Sequence, residues 1–261
     1  MRSFFKDVKA ILCDIDGTLY FKGEAIKGAI DTVSYIKELG IKILFFTNTD
    51  SKPPQRICRI LKDFGFDVKE DEIFSPIIAL KEFLAKHPRK KIFLVTTQEV
   101  AREFQKYDNV GENETPDFVI IGDFQDDWDV NRLNRAFQHV LQGATLLGTQ
   151  GNIFYLDRKG NPVIDTGSFV EMIARATSTK AKIFGKPSKE YFEQAIELLD
   201  VPRENVVVIG DDYESDIQGA FNVGLRAILV KTGKGKYFNI SDGKKSPEMI
   251  IPSFNLLKEY L

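Results

Sequence analysis

Short apolar runs alternate with amphipathic stretches along most of the chain. In the amphipathic stretches the apolar residues recur at helical spacing, as Ile57, Ile60 and Leu61 do. The apolar runs do not alternate with polar residues, which is typical of strands buried on both faces of a parallel sheet. The predicted strands are 10–13, 41–47, 92–96, 118–121, 144–147, 153–156, 162–164, 182–184, 206–209 and 227–230. The predicted helices are 27–39, 53–64, 130–141, 188–199 and 215–222. We therefore expect an α/β protein with a Rossmann-like, doubly wound parallel sheet as its core.

The rhythm of strand and helix in the first 74 residues returns near the carboxyl end of the chain. The middle of the chain has strands and helices of its own, with soft boundary signals at Ser75–Pro76 and at 177–180. We therefore predict a discontinuous core formed by 1–74 and 181–261, and an inserted α/β domain at 75–180.

Composition narrows the possible functions mainly by exclusion. The 261 residues include 36 basic and 38 acidic side chains, for a net charge of −2, so no overall field attracts nucleic acid or an anionic membrane. Two cysteines, Cys13 and Cys58, form neither a disulfide framework nor a zinc pattern. No segment approaches the ~18 unbroken apolar residues of a membrane span. We expect a soluble, cytoplasmic protein that binds neither nucleic acid nor a membrane.

Two carboxylates, Asp14 and Asp16, directly follow the first predicted strand. Two anions held close together cannot both be ionised cheaply, so either one stays protonated or a cation such as Mg²⁺ lies between them. One carboxylate could then attack phosphorus while the other moves protons. Gly17 allows a tight turn and a close approach of the backbone. An acidic exit from a strand on the protein surface is the competing interpretation of this segment.

Thr47 and Asn48 follow another predicted strand and carry groups that can donate hydrogen bonds to phosphoryl oxygens. Considered alone, they are more typical of a cap for the next helix, a role that Ser51 could share. Lys186 lies between a predicted strand and a predicted helix, where it could neutralise the charge of a phosphoryl group or of the nucleophile. Considered alone, it is more typical of a solvated surface lysine.

Four acidic residues occur within 211–216, directly after the apolar strand 206–209. Negative charge at a helix N-terminus explains Glu214 well. It explains Asp211 less well, because carboxylates that leave a buried strand are typical of a cation site. Ligands of open α/β sheets bind at the carboxyl ends of the strands, so the four segments can converge on one crevice.

These four segments, in this order, resemble the haloacid dehalogenase superfamily of phosphatases. The order is Asp-x-Asp-Gly-Thr at 14–18, Thr-Asn at 47–48, Gly-Lys-Pro at 185–187 and Gly-Asp at 210–211. The long insertion is similar to the large α/β cap of the NagD-type phosphatases. Segments 70–74, 166–170 and 229–233 are similar to the group that contains phospholysine phosphohistidine inorganic pyrophosphate phosphatase.

The resemblance implies a Mg²⁺-dependent phosphatase that acts on a small phosphorylated substrate and could form a homodimer. Asp14 matches the nucleophile, Asp16 the general acid and base, and Lys186 the charge-neutralising lysine. The implied substrate-binding residues are Gly17, Thr47, Asn48 and Lys186. The implied metal ligands are Asp14, Asp16 through its main-chain carbonyl, Asp211, and Asp216 as a supporting partner. Asp212 falls at a variable position.

Two departures from the family pattern bear on the substrate. Residues 148–152 read Gly-Thr-Gln-Gly-Asn where NagD-type proteins often carry Thr-Asn-Pro-Asp. Residues 48–49 read Asn-Thr where Asn-Asn is common. The inserted domain's contacts with substrate therefore cannot be inferred from the family.

Other functions remain possible on the same motifs. A phosphotransferase or mutase would use the same nucleophile, and a regulatory protein could bind phospholigands with little turnover. Dehalogenation is disfavoured because dehalogenating relatives lack the second aspartate, here Asp16. The nucleotide-binding glycine patterns are absent from the sequence. With only His87 and His139, both expected at the surface, a histidine-rich metal site is hard to assemble. We expect Trp128 to be a packing residue.

Overall fold

The computed structural model describes residues 5–107, 110, 114–124, 127–157, 159–239 and 245–261. In chain order, the strands are β1 Ala10–Cys13, β2 Tyr20–Phe21, β3 Glu24–Ala25, β4 Lys42–Phe46, β5 Ile73–Phe74, β6 Ile92–Val95, β7 Phe118–Ile121, β8 Thr145–Gly148, β9 Phe154–Leu156, β10 Pro162–Ile164, β11 Lys182–Ile183, β12 Val206–Gly210, β13 Arg226–Val230 and β14 Met249–Ile251. The α-helices are α1 Ala29–Glu38, α2 Pro54–Asp63, α3 Pro76–Ala85, α4 Gln98–Ala101, α5 Val130–Leu141, α6 Thr166–Thr177, α7 Lys189–Leu199 and α8 Gly219–Asn222.

The chain divides into two compact units. We call 1–47, 57–74 and 186–261 the core unit, and 48–56 with 75–185 the inserted unit. This division differs from the predicted boundaries in two places. Segment 48–56 clusters with the inserted unit, and β11 pairs with β8 of that unit through Lys182 and Leu147. A strand of two residues gives no sequence signal of the sheet that it joins, so the sequence alone does not separate 182–184 from the core.

The core unit contains a parallel sheet in the order β14-β13-β12-β1-β4-β5. The chain moves outward from β1 in both directions, so the strand order reverses there. One face buries apolar residues of α1 and α2, including Val33 and Leu61, against Ile11 and Ile209. On the other face, Phe46 of β4 stacks against Tyr191 of α7. The predicted fold class, a doubly wound α/β core with an inserted α/β domain, is confirmed.

The inserted unit contains a second parallel sheet, in the order β11-β8-β7-β6. Helices α5 and α6 cover one face, where Leu133 and Phe169 join the apolar cluster. Helix α3 covers the other, through the contact of Phe83 with Phe118. The predicted strands 153–156 and 162–164 are present as the antiparallel pair β9 and β10, and Arg158 between them lies outside the described residues.

The structure shows how far two side chains of the inserted unit, His139 and Trp128, are buried. The prediction that His139 lies at the surface is wrong, because α5 turns it inward beside Phe93, with ring centroids 4.9 Å apart. Trp128 stacks on Phe124, although 58% of its surface stays exposed. In the part of the chain that the structure describes, no helix is long and apolar enough to cross a bilayer.

Candidate active site

Three neighbouring parallel strands of the core unit deliver polar residues to one edge of the sheet. Cys13, the last residue of β1, pairs with Ile209 of β12 and with Phe45 of β4. Asp14 therefore leaves the sheet beside Asp211 and Thr47, which follow β12 and β4. This edge lies at the reversal of strand order, where open α/β sheets bind ligands.

The Asp14 carboxylate is buried, with 6% exposure, and is held from both sides. Its Oδ1 accepts a hydrogen bond from Lys186 Nζ at 2.7 Å, and its Oδ2 accepts one from Thr18 Oγ1 at 3.0 Å. Two donors on two oxygens fix the side chain in one orientation. The sequence motif contains Thr18, but sequence reasoning gave it no role.

Lys186 joins three segments through its ammonium group. Besides Asp14, Nζ donates to Asp216 Oδ1 at 2.6 Å and to the Phe46 carbonyl at 2.9 Å. Only 2% of Lys186 is exposed, so the interpretation as a solvated surface lysine is wrong. Burial lowers the pKa of Lys186, but the two neighbouring carboxylates outweigh it and leave that pKa raised.

Asp14, Asp211 and Asp216 form a compact acidic cluster. One carboxylate oxygen from each residue lies within 4.8 Å of the others, so the group could hold a metal ion. Burial, followed by the charge of Asp14, raises the pKa of Asp211. Burial also raises the pKa of Asp216 to about 7, although Lys186 opposes the shift. A single ammonium cannot balance three buried carboxylates, so an added cation fits the charge and the oxygen donors of the site.

The Asp16 carboxylate is exposed and lies outside this cluster. Gly17 follows it with φ +86°, and a Cβ at Gly17 would lie 2.5 Å from Asp211 Cγ. No other residue type fits there without displacing Asp211. The turn therefore brings the backbone beside the cluster and leaves the Asp16 side chain accessible to solvent.

Thr47 and Asn48 fall in different units. Thr47 is buried in the core unit, where its carbonyl accepts a hydrogen bond from Tyr191 Oη at 2.7 Å. Asn48 begins the inserted unit, where its amide donates to Asn152 Oδ1 at 3.2 Å. Tyr191 lies within the predicted helix 188–199, but the sequence pattern does not reveal which carbonyl its phenol will reach.

The two departures from the family pattern meet inside the inserted unit. Asp50, only 4% exposed, accepts hydrogen bonds from Thr149 Oγ1 at 2.5 Å and from Thr166 Oγ1 at 2.9 Å. Thr149 belongs to the altered segment 148–152, and Asp50 follows the altered pair 48–49. The altered segment 148–152 is therefore tied to the residue that follows the altered pair, which no single motif could have predicted.

Asp212 is not part of the acidic cluster. Its Oδ2 pairs with Lys234 Nζ at 2.6 Å, and its Oδ1 accepts from the amide of Glu214 at 3.0 Å. Although burial acts in the opposite direction, the Lys234 charge lowers the pKa of Asp212. Its side chain thus caps the following turn and anchors Lys234, which agrees with its position outside the family motif.

Comparison with known proteins identifies the family. Residues 11–109 match the family model described as haloacid dehalogenase-like hydrolase, and 183–257 match a HAD-hydrolase-like model. The phospholysine phosphohistidine inorganic pyrophosphate phosphatase of Xenopus laevis is 33% identical, over 95% of this chain and 91% of its own.

Two solved structures carry the same fold. The 4-nitrophenylphosphatase of Thermotoga maritima superposes with a TM-score of 0.88 at 28% identity, covering 98% of both chains. NagD from E. coli K-12 gives a TM-score of 0.85 at 26% identity, covering 95% of this chain and 97% of its own. The predicted resemblance is confirmed: the chain belongs to the haloacid dehalogenase-like hydrolase family and is a phosphatase of its NagD-type branch.

Proposed function

We propose that this chain is a Mg²⁺-dependent phosphatase that hydrolyses a small phosphate ester through an aspartyl-phosphate on Asp14. The observation that carries the proposal is the state of Asp14 itself. Its carboxylate is buried at the end of a central strand, and Lys186 and Thr18 hold it in one orientation. A fixed nucleophile beside a buried ammonium meets the main demands of phosphoryl transfer, which are positioning and charge neutralisation.

In the first step an Asp14 oxygen attacks phosphorus, the bond from phosphorus to the ester oxygen breaks, and Asp16 gives a proton to the leaving alkoxide. In the second step water attacks the aspartyl-phosphate, Asp16 takes a proton from that water, and the P–O bond to Asp14 breaks to release inorganic phosphate. Asp16 ends as it began, so protons balance over the cycle. Its exposed carboxylate supports this shuttle.

Phosphate binding is assigned to Gly17, Thr47 and Asn48, with Lys186 neutralising charge. For Thr47, support comes from its position after β4 and from the hydrogen bond that Tyr191 donates to its carbonyl. Gly17 lies in the turn directly after Asp16, where the backbone approaches the acidic cluster. Asn48 is assigned from the family motif.

Mg²⁺ would be held by the carboxylates of Asp14 and Asp211 and by the Asp16 carbonyl, with Asp216 in support. The compact, oxygen-only donor set of the cluster favours a hard divalent cation. When bound, the ion would neutralise charge on the phosphoryl oxygens and on the carboxylates. Asp216 already pairs with Lys186, so it supports the site mainly through that lysine.

The test is turnover of 4-nitrophenyl phosphate with Mg²⁺ and with a chelator. We expect Mg²⁺-dependent release of inorganic phosphate in water, which also separates hydrolysis from transfer to an acceptor. Asp14→Asn should abolish turnover and prevent trapping of a phosphorylated chain in the mass spectrum. Asp63→Asn, an exposed residue of α2, is the charge-matched control. Undiminished activity in Asp14→Asn would refute the assignment.

The substrate is proposed to be a small phosphorylated metabolite, which a panel of such esters would identify. Support comes from the family and from the 4-nitrophenylphosphatase whose fold the chain shares. A homodimer stays a prediction, for which light scattering on the purified chain is the direct measurement.

A further inference from the structure

The loop after β13 contacts two parts of the proposed active site, although none of its residues has a role in the mechanism above. We call Thr232–Gly235 of this loop the clamp loop. It includes the Thr-Gly pair of segment 229–233, which the sequence resemblance includes without a function. Its contacts with Gly17 and Asp211 are made by one side-chain hydroxyl and one main-chain amide.

Thr232 precedes a short 3₁₀ turn at Gly233–Tyr237, where a threonine hydroxyl would ordinarily accept hydrogen bonds from the amides of its own turn. It makes no such bond. Its Oγ1 instead donates to the Gly17 carbonyl at 2.5 Å, across 215 positions of sequence. The hydroxyl therefore acts on the turn that carries Asp16 rather than on local structure.

Lys234 provides the second contact. Its main-chain amide donates to Asp211 Oδ2 at 2.6 Å, and its ammonium pairs with Asp212 Oδ2 at 2.6 Å. The clamp loop thus holds one oxygen of the Asp211 carboxylate and leaves the other for a further partner. Outer partners of this kind orient carboxylates that bind metal ions.

Between these contacts the loop has no spare volume. Gly233 has φ +47°, and a Cβ there would lie 2.8 Å from both Asp211 Cγ and Gly17 Cα. Gly17 also approaches Asp211 closely. The clamp loop, the turn at Gly17 and the Asp211 side chain therefore pack against one another. A shift of the clamp loop would move both the Asp16 turn and the Asp211 carboxylate.

We propose that the clamp loop positions the general acid against the metal site, with Thr232 fixing the Asp16–Gly17 turn and the Lys234 amide fixing the Asp211 carboxylate. The proposal deepens the proposed function and rests on it. It makes Thr232 a positioning residue, since it acts through Gly17 and touches no reacting atom.

The first experiment compares Thr232→Val, which removes the donor, with Thr232→Ser, which keeps it. kcat/KM is measured for 4-nitrophenyl phosphate, whose leaving group needs little protonation, and for phenyl phosphate, whose leaving group needs more. In Thr232→Val, misplacing Asp16 should lower kcat/KM for phenyl phosphate about tenfold more than kcat/KM for 4-nitrophenyl phosphate. The quantity compared is the ratio of the two kcat/KM values. Thr232→Ser should keep the wild-type ratio. A ratio unchanged in Thr232→Val, or changed equally in Thr232→Ser, would overturn the role of the hydroxyl.

The second experiment needs no turnover. Gly233→Ala forces a Cβ against Asp211, and Gly40→Ala is its matched control because Gly40 has φ +74° with nothing within 4 Å of its added Cβ. Calorimetry of Mg²⁺ on the full chain should show about tenfold weaker binding for Gly233→Ala and no change for Gly40→Ala. Equal affinities for the two variants, or no Mg²⁺ binding by the wild type, would overturn the clamp.

The two experiments separate the clamp from the proposed function. A wild-type chain that binds Mg²⁺ but hydrolyses neither ester would refute the phosphatase proposal. The calorimetric comparison would still decide whether the loop orients Asp211.

Discussion

Lys186 Nζ lies 2.7 Å from Asp14 Oδ1, although 172 residues separate the two along the chain. The same ammonium lies 2.6 Å from Asp216 Oδ1, so one buried cation serves two buried carboxylates. Lys186 follows the inserted unit, whereas Asp14 precedes it. The contact therefore ties together the two halves of the discontinuous core.

Replacing Lys186 with Met should lower both kcat and the free energy of unfolding. Two carboxylates would stay buried without their cation, at a cost of about 3–5 kcal/mol in the free energy of unfolding at pH 7. kcat should fall at least about 100-fold because an aligned charge is lost. Urea denaturation and steady-state kinetics measure the two effects.

The stability loss in Lys186→Met should shrink as the pH is lowered, because protonation neutralises the carboxylates. Lys189→Met, exposed three residues away, is the matched control and should change neither quantity. A variant of Lys186 that keeps wild-type stability at pH 7 would contradict the structural role.

Tyr191→Phe should weaken the junction of β4 and β5. The Tyr191 hydroxyl donates to the carbonyls of Thr47 at 2.7 Å and of Phe74 at 3.1 Å, and the residue is buried. Without the Tyr191 hydroxyl, the two buried carbonyls each lose a donor, and the free energy of unfolding should fall by about 1–2 kcal/mol. We also expect KM for 4-nitrophenyl phosphate to rise, because Thr47 loses its anchor.

Thermal denaturation and steady-state kinetics test both effects of Tyr191→Phe. Tyr237→Phe makes the same chemical change at a residue that is 75% exposed, and it should change neither quantity. Equal results for the two variants would mean that the hydrogen bonds of Tyr191 contribute neither to stability nor to substrate binding.

The sequence predicts which sheet edge carries the candidate site better than it predicts the contacts that support this site. Asp14, Thr47 and Asp211 each follow an apolar run, and parallel strands must bring such residues to one edge. The hydroxyls that hold them, such as those of Thr18 and Tyr191, donate to a neighbouring carboxylate or to a main-chain carbonyl. Every residue has a carbonyl, so no sequence pattern marks the one that a hydroxyl will reach.

Helix α3 shows why part of the fold escaped prediction. Its first five residues, 76–80, are all apolar, so the amphipathic period that revealed α2 and α7 is missing. On α5 the period was visible, but polar character suggested a surface position for His139. Packing against Phe93 buries its ring instead.

Removing the charge of Asp211 should weaken Mg²⁺ binding. Asp211 belongs to the acidic cluster and is 4% exposed, so Asp211→Asn takes one anionic donor from the site. We expect the Mg²⁺ dissociation constant to rise at least about tenfold, as for other losses of metal-site residues. Calorimetry without substrate measures it.

Glu214→Gln removes an equal charge from an exposed residue three positions along the chain and serves as the control for Asp211→Asn. If both variants bound Mg²⁺ with the same affinity, a specific ligand role for Asp211 would be excluded.

The carboxyl group of Asp50, in the inserted unit, should make the free energy of unfolding depend on pH. Burial, followed by the charge of Asp165, raises its pKa from 3.8 to about 8, although the Thr149 and Thr166 hydroxyls oppose the shift. Between these values the folded chain holds a proton that the unfolded chain releases. Stability contributed by this proton is therefore complete below pH 4 and is lost as the pH rises toward 8, by at most about 1.4 kcal/mol per pH unit.

Asp50→Asn removes this titration but keeps an oxygen that can accept from Thr149. The stability of the variant relative to the wild type should rise from pH 4 to pH 8 and then stay level. Urea denaturation across this range measures the difference, with Asp63→Asn, exposed on α2, as the control that lacks the trend. Parallel stability curves for Asp50→Asn and the wild type would show that the carboxyl is already ionised in the folded chain at neutral pH. The two hydroxyls would then hold a buried anion, and removal of one of them in Thr149→Val should destabilise the chain most at high pH.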